Sequence, residues 1–300
     1  MGERFSPSAA NNDEKENRFI EGEDPFDCDL GELDEDMESS SRGNAKFIEQ
    51  YDIKVCKEVI SVEGQNFLIR TFSKEGPEKQ RYLVIHDSED AAFDTGLRAI
   101  QNGGTLITLE SSGERSLGAV DKQGDLQHLG QDPNRMFVEG NPYWPLAERL
   151  LELCGASSRE MIIALHNNHP KGKFSLDSVS RSPNVTIISE EDTDRKSMIW
   201  ISGATPKPQP GVMHEIDFYK TLELNVVYEY VTPSGDSDDS LSVYATRNSI
   251  PYINIEVAAG VRYDADSESE AVERQTRYLD AVRAYHLFID EGGEDTISQL

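Results

Sequence analysis

The sequence predicts an α/β fold: a mixed central β-sheet flanked by helices, in a single domain. Three observations predict it. Short apolar, β-branched runs alternate along the chain with stretches at helical spacing, the order that α/β sheets require. Gly and Pro punctuate the junctions between them. With 37% hydrophobic residues over 300, the chain carries enough apolar side chain for a sizeable core.

Residues 1–45 are rich in Glu, Asp, Ser and Asn and poor in aliphatics. Such a stretch cannot bury enough surface to offset its ordering entropy, so a disordered acidic tail is expected. The folded domain is expected over 46–292, with 293–300 a short C-terminal tail. NFLIRTF and RYLVIH read as strands, short apolar runs flanked by Gly or charge. Residues 89–102, EDAAFDTGLRAIQN, space Ala92, Phe93, Leu97 and Ile100 along one helical face, and Gly103-Gly104 stops the helix. TLITLE is a strand. Asp132-Pro133 is turn chemistry, because proline fixes its own φ and pushes the preceding residue toward an extended conformation. Met136, Phe137 and Val138 then read as a short buried strand. PYWPLAERLLELCG opens with prolines, runs at helical spacing and closes at Gly155. MIIALH, NVTIIS, SMIWIS, NVVYEYV, LSVYA and YINIEV read as strands. VMHEIDFYKTLE and SESEAVERQTRYLDAVRAYHLFI read as helices. No internal repeat is visible.

Charge narrows the partners. The chain has 56 acidic and 29 basic residues, a formal net charge of −27. That disfavours nucleic acid and anionic membrane surfaces, both of which need basic patches. Cys28, Cys56 and Cys154 are odd in number, far apart and without a CxxC, which predicts no disulfide framework and a reducing compartment. No apolar run reaches the length of a membrane span. MGERFSPSAANNDEKEN has no apolar signal core. A cytoplasmic protein is expected. GxSxG, P-loop and strand-following GxGxxG patterns are missing, so serine-hydrolase, nucleotide-phosphate and dinucleotide readings lack support.

Open α/β sheets bind ligands at the ends of their strands. RYLVIHDSE places His86 at one strand end and Glu89 three residues on. MIIALHNN places His166 at another. Two imidazoles and a carboxylate make a zinc set with a fourth position open for water; zinc there lowers the pKa of that water and polarises a carbonyl. YINIEV carries Glu256 in an otherwise apolar run. An unpaired carboxylate in that setting has a raised pKa, which suits a proton shuttle. Pairing with Arg247 or Arg262 is the competing reading. HxxE alone recurs by chance, and a strand-end His is more often a satisfied edge residue; the weight comes from joint occurrence. Arg135 sits at the edge of a core, where a charge needs a partner, either a carboxylate of the protein or one of a ligand. The loop HNNHPKGKFS, with His169, Lys171 and Lys173, either attracts an anionic substrate or is simply solvated. His128, His214 and His286 lack the placement of a ligand.

HDSE, GQDPNRMF, IIALHNN and YINIEV, in this order, resemble the zinc metallocarboxypeptidase family, whose wider clan includes the succinylglutamate desuccinylase and aspartoacylase group. The resemblance covers about residues 80–260; GQDPNR is its most specific element and HxxE its least. It implies a zinc-carboxypeptidase-like fold and one zinc ion held by His86, Glu89 and His166. It also implies that Asn134 and Arg135 hold a substrate carboxylate, which a planar guanidinium meets through two parallel hydrogen bonds. Glu256 would be general base and acid. Arg115 is placed like the family's oxyanion arginine, with a structural arginine paired to a surface carboxylate equally open. Asn167 would orient substrate or cap its strand. The implied activity is hydrolysis of an amide bond next to a substrate carboxylate, on a peptide. Deacylation of an N-acyl amino acid is the alternative, and a non-catalytic binding protein with the same fold is another. The interval between Glu89 and His166 is compact beside the peptidases. The family's substrate-facing tyrosine has no clear counterpart among Tyr228, Tyr230 and Tyr244.

Overall fold

Glu63 and Gly64 both take positive φ, 50° and 78°, and fold strand β1 (Lys54–Val62) back on β2 (Gln65–Lys74) as an antiparallel hairpin. The structure is a computed structural model that describes residues 43–111, 115–120, 126–158, 160–169, 171–235, 237–259 and 265–290. Most of the expected acidic tail and the expected C-terminal tail lie outside those residues. The folded body already includes Asn44, which is buried, opens helix α1 (Asn44–Gln50) and donates to Asp94 Oδ1 at 2.7 Å.

After β2 come β3 (Arg81–Val84), α2 (Asp90–Ala99), β4 (Gly104–Glu110), β5 (Gly118–Val120), β6 (Leu126–His128), α3 (Trp144–Leu153) and β7 (Ile162–Asn168). Then follow α4 (Leu176–Val179), β8 (Val185–Ser189), β9 (Met198–Gly203), α5 (Pro210–Thr221), β10 (Val226–Tyr230), α6 (Leu241–Arg247), β11 (Tyr252–Ala258) and α7 (Ala265–Asp290). All described strands join one sheet, ordered β6-β5-β2-β4-β3-β7-β11-β9-β10-β8, with β1 paired to β2. β4, β3, β7 and β11 run parallel, while β9 lies antiparallel to β11, so the sheet is mixed as expected.

Strand alternation sends side chains to opposite faces of the sheet. Ile163, Leu165, Ile253 and Ile255 pack with Ala92 and Leu97 of α2, Ile216 of α5 and Tyr278 of α7. Ile162, Ala164, Leu83 and Tyr252 face the other way, toward Leu146 and Leu150 of α3 and Leu241 and Ala245 of α6. Each such Leu or Ile, removed fully from water, contributes about 1.5–3 kcal/mol. Gly103 stops the helical run for two reasons: its φ is 131°, and a Cβ there would come within 2.5 Å of Glu78 O.

Several expectations fail locally. LSVYA is helix α6, because the Ser240 hydroxyl accepts from Val243 N at 3.4 Å and starts a helix at a β-rich composition. Met136 and Phe137 are buried but follow a 3-10 turn, Pro133–Arg135, and form no strand; Phe137 N instead donates to Asp239 O at 2.9 Å. β1, whose apolar run is interrupted by Lys57 and Glu58, is not among the expected strands. Cys56 is disulfide-bonded, which the cysteine spacing does not predict, while Cys154 is a buried free thiol. Among the described residues, no helix is long and apolar enough to cross a membrane.

Candidate metal centre

Three parallel neighbours, β3, β7 and β11, build the site at their carboxyl ends. β3 ends at Val84, and a turn follows in which Glu89 N donates to His86 O at 3.1 Å. That turn is what an x-x spacer between His and Glu achieves: it brings the two side chains together and leaves Glu89 at the N-cap of α2. His166 comes from β7. His86, Glu89 and His166 are 1%, 3% and 3% exposed, so the cluster is withdrawn from bulk water.

His86 Nδ1 lies 2.9 Å from Glu89 Oε1 and 3.2 Å from His166 Nδ1. His166 Nδ1 lies 3.1 Å from Glu89 Oε2. The candidate ligand atoms all fall within 4.8 Å of one another. Two nitrogens at zinc–nitrogen bond length in a tetrahedral site are separated by about 3.3 Å. The nitrogen separation therefore matches that of ligands sharing one ion.

The far side of His86 makes the same point. Its Nε2 sits 2.9 Å from Asp132 Oδ1, a carboxylate that accepts only, so Nε2 carries a proton. In the neutral ring, Nδ1 then presents a bare lone pair to Glu89 Oε1, a repulsive contact that a cation, either a proton or a metal ion, relieves. The protonation tendencies agree. Burial alone depresses His86, but the charge of Glu89 and the bond to Asp132 override it and push the imidazole up to about 9. Burial alone raises Glu89, and the two histidines override it and hold the carboxyl far below the usual range. Burial likewise opposes, and the His86 bond reverses, the shift of Asp132, which is held down to about 2.

The other expected site residues fall into two groups. Glu256 stands opposite His166 in the β11–β7 register, on the same sheet face, with neighbouring strands about 4.8 Å apart. Its side-chain partner is Asn254, whose Nδ2 donates to Glu256 Oε1 at 3.0 Å; Arg247 is occupied elsewhere, by the carbonyls of Thr232 and Gly235, and Arg262 lies outside the described residues. Arg115 reaches the cluster: Nη1 is 2.8 Å from Glu89 Oε1 and Nη2 3.7 Å from Asp132 Oδ2. Arg135 is half exposed, with Nη2 3.5 Å from Asp238 Oδ2. Asn134 is beside it, but its Oδ1 already accepts from Leu241 N at 3.0 Å.

Asn167 lies apart. One residue beyond His166, it points to the opposite face. There its Oδ1 accepts from Ala92 N at 2.8 Å, and its Nδ2 donates to Gln275 Oε1 at 3.0 Å. It pins α2 and α7 to the sheet rather than facing the cluster. His169, Lys171 and Lys173 ring the chain just after β7, at least partly exposed. Tyr228 is buried and donates to Thr205 O at 2.8 Å, so it is not a mobile substrate-facing group. Asp132 is the residue that motif reading passed over as turn chemistry. Its Oδ1 also accepts from Asn134 N at 2.8 Å, so one carboxylate both makes the turn and orients His86.

No family model and no curated protein matches the chain. Solved structures similar to it include a metallo-carboxypeptidase from Burkholderia cenocepacia, with 12% identity, a TM-score of 0.43, and 82% of this chain and 70% of that one covered. A metallo-carboxypeptidase from Pseudomonas aeruginosa in complex with (2-guanidinoethylmercapto)succinic acid shows 12% identity and a TM-score of 0.41, covering 84% and 69%. An aspartoacylase family protein from Mesorhizobium loti shows 12% identity and a TM-score of 0.37, covering 69% and 61%. These are neighbours of both kinds that the sequence resemblance names. At such identities and scores they assign no activity to this chain.

Proposed function

We propose that this chain is a zinc-dependent hydrolase of the metallocarboxypeptidase type, cleaving an amide bond next to a substrate carboxylate. The observation that carries the reading is the convergence of His86 Nδ1, His166 Nδ1 and the Glu89 carboxylate, with Asp132 fixing the His86 tautomer from behind. Two imidazole nitrogens and a carboxylate suit zinc. A zinc ion held there would polarise the substrate carbonyl and acidify water.

The chain's own groups supply the rest. Arg135, already braced by Nη1 on Asn134 O at 2.8 Å, exchanges its exposed Asp238 partner for the substrate carboxylate. Asn134 keeps its Nδ2 as a second donor. Arg115, fixed on Glu89, presents positive charge where negative charge builds on the carbonyl oxygen. Glu256 takes a proton from the attacking water and delivers it to the departing nitrogen. The water oxygen ends on the carbonyl carbon, the C–N bond breaks, and the amine leaves neutral.

The test is a Glu256→Gln variant assayed for turnover and for metal by mass spectrometry. The reading expects turnover to fall by at least 100-fold while one equivalent of zinc is retained. Full activity in that variant would refute the mechanism. Product analysis then separates a peptidase, which releases a C-terminal amino acid from a peptide, from a deacylase, which releases a small carboxylic acid from an N-acyl amino acid.

A further inference from the structure

Glu89 stands at the N-cap of α2, where a side chain ordinarily accepts from an N–H two or three residues on. It makes no such bond. Its carboxylate is turned to His86, His166 and Arg115 instead. The first intrahelical bond runs from Phe93 N to Glu89 O. The N–H of Ala92, one residue earlier, therefore needs an acceptor from outside the helix. Ala92 is fully buried, so bulk water cannot supply it.

Asn167 supplies that acceptor from β7. Its Oδ1 takes the Ala92 N–H at 2.8 Å, the bond a capping residue would make. The rest of its amide is fixed as well. Nδ2 donates to Gln275 Oε1 at 3.0 Å and to the carbonyl of His166 at 3.1 Å. Gln275 Nε2 donates to the same carbonyl at 3.2 Å. Gln275 is 0% exposed and lies one turn before Tyr278, in the apolar packing of α7. A buried amide is costly unless both of its ends are bonded, and here both are. β3 pairs with β7 only as far as Ala164, so the two amides hold β7 where that ladder has ended. One connected set of hydrogen bonds thus joins the backbone of one candidate ligand, His166, to the helix that begins at another, Glu89.

We propose that Asn167, braced by Gln275, is a positioning residue for the metal centre: it caps α2 in place of Glu89, which leaves the Glu89 carboxylate to the cluster. The proposal rests on the metal-centre reading given above and deepens it. With the Asn167 oxygen removed, a buried donor at the positive end of a helix draws on the Glu89 carboxylate, and the cluster loses its fixed anion.

Zinc binding by the full chain tests this without turnover. Outer partners that orient metal ligands contribute about 10–100-fold in affinity. Asn167→Ala is expected to weaken zinc binding by about tenfold or more, read by competition with a chromophoric chelator. Cobalt(II) in place of zinc has visible absorption that reports ligand geometry, and the same variant should change that spectrum. Leu97→Ala is the control, because it truncates a fully buried core residue of the same helix. It should lower the melting temperature at least as far, with zinc affinity and cobalt spectrum as in wild type. Wild-type affinity and spectrum in Asn167→Ala overturn the proposal. Equal losses of zinc affinity in Asn167→Ala and Leu97→Ala also overturn it, by reducing the effect to helix stability. Amide exchange in the zinc-loaded wild type needs no variant: the Ala92 N–H should exchange slowly, and fast exchange refutes the cap even if Asn167→Ala fails to fold. The failures are distinguishable. A wild-type chain that binds no zinc sinks the metal-centre reading and this inference with it. Tight zinc binding that Asn167→Ala leaves untouched sinks this inference alone.

Discussion

Asp132 Oδ1 and His86 Nε2 lie 2.9 Å apart although 46 residues separate them, and the contact decides which nitrogen of His86 can face a metal. With Nε2 protonated toward Asp132, Nδ1 is committed to the cluster. Partners of this kind orient a ligand and raise its basicity, and losing one typically costs 10–100-fold in metal affinity. Asp132→Ala is therefore expected to weaken zinc binding by about that factor without abolishing it. Asp132→Asn, whose amide oxygen also accepts, is expected to lose less. Competition against a chromophoric chelator measures both. Unchanged affinity in Asp132→Ala would show that the contact does not orient the ligand.

The same cluster couples metal to stability. Without an ion, buried lone pairs and a carboxylate crowd one point; an ion that binds only the folded chain stabilises it by mass action, about 2.7 kcal/mol at 100 times Kd. Chelator-treated protein is expected to melt several degrees lower than protein with added zinc. His166→Ala should lower metal occupancy and remove most of that difference. A melting temperature indifferent to zinc in the wild-type chain would count against a metal at this cluster.

Much of the candidate site was legible because its candidate ligands ride on local patterns. His86 and His166 end apolar runs, and the HxxE spacing is closed by a single turn. What was not legible depends on contacts distant in sequence. Asp132 reads as turn chemistry until β3 and the 3-10 turn are brought together. Glu256 comes opposite His166 only through the β11–β7 register, which no short motif encodes. Asn167 is an instructive miss. Strand parity alone puts it on the face opposite His166, so it could have been set aside from the sequence. The LSVYA segment failed for another reason: its β-branched composition is a weak prior, and Ser240 as N-cap outweighs it.

Cys154 allows a prediction away from the site. Burial pushes its thiol from 9.0 up to about 12, with Arg81 opposing weakly. The folded protein thus disfavours the thiolate. A thiol raised on folding contributes stability that is intact below the unfolded pKa and is lost as pH rises toward the folded one. The window runs from about 9 to about 12, with a loss of about 1.4 kcal/mol per pH unit. Comparing denaturant midpoints of wild type and Cys154→Ala across that window isolates the effect from buried tyrosines. Wild type should lose more stability than the variant, and parallel curves would contradict the assignment. At pH 8, native Cys154 should also resist thiol reagents.

Arg135 and Asp238 separate binding from folding. Their pair is 3.5 Å long with side chains 45% and 52% exposed, a geometry that adds at most about 1 kcal/mol to stability. Arg135→Ala is therefore expected to leave the melting temperature almost unchanged. If the guanidinium anchors a substrate carboxylate, the same variant should raise KM at least tenfold, the scale of a lost charge-assisted bidentate contact. Arg135→Lys should restore little, because an ammonium cannot make two parallel hydrogen bonds. Asp238 competes with substrate for the guanidinium, so Asp238→Asn should lower KM with kcat unaltered. Steady-state kinetics on one substrate series reads all three. An Arg135→Ala enzyme with wild-type KM would place the carboxylate anchor elsewhere, and a raised KM in Asp238→Asn would make Asp238 a support for Arg135 instead of its competitor.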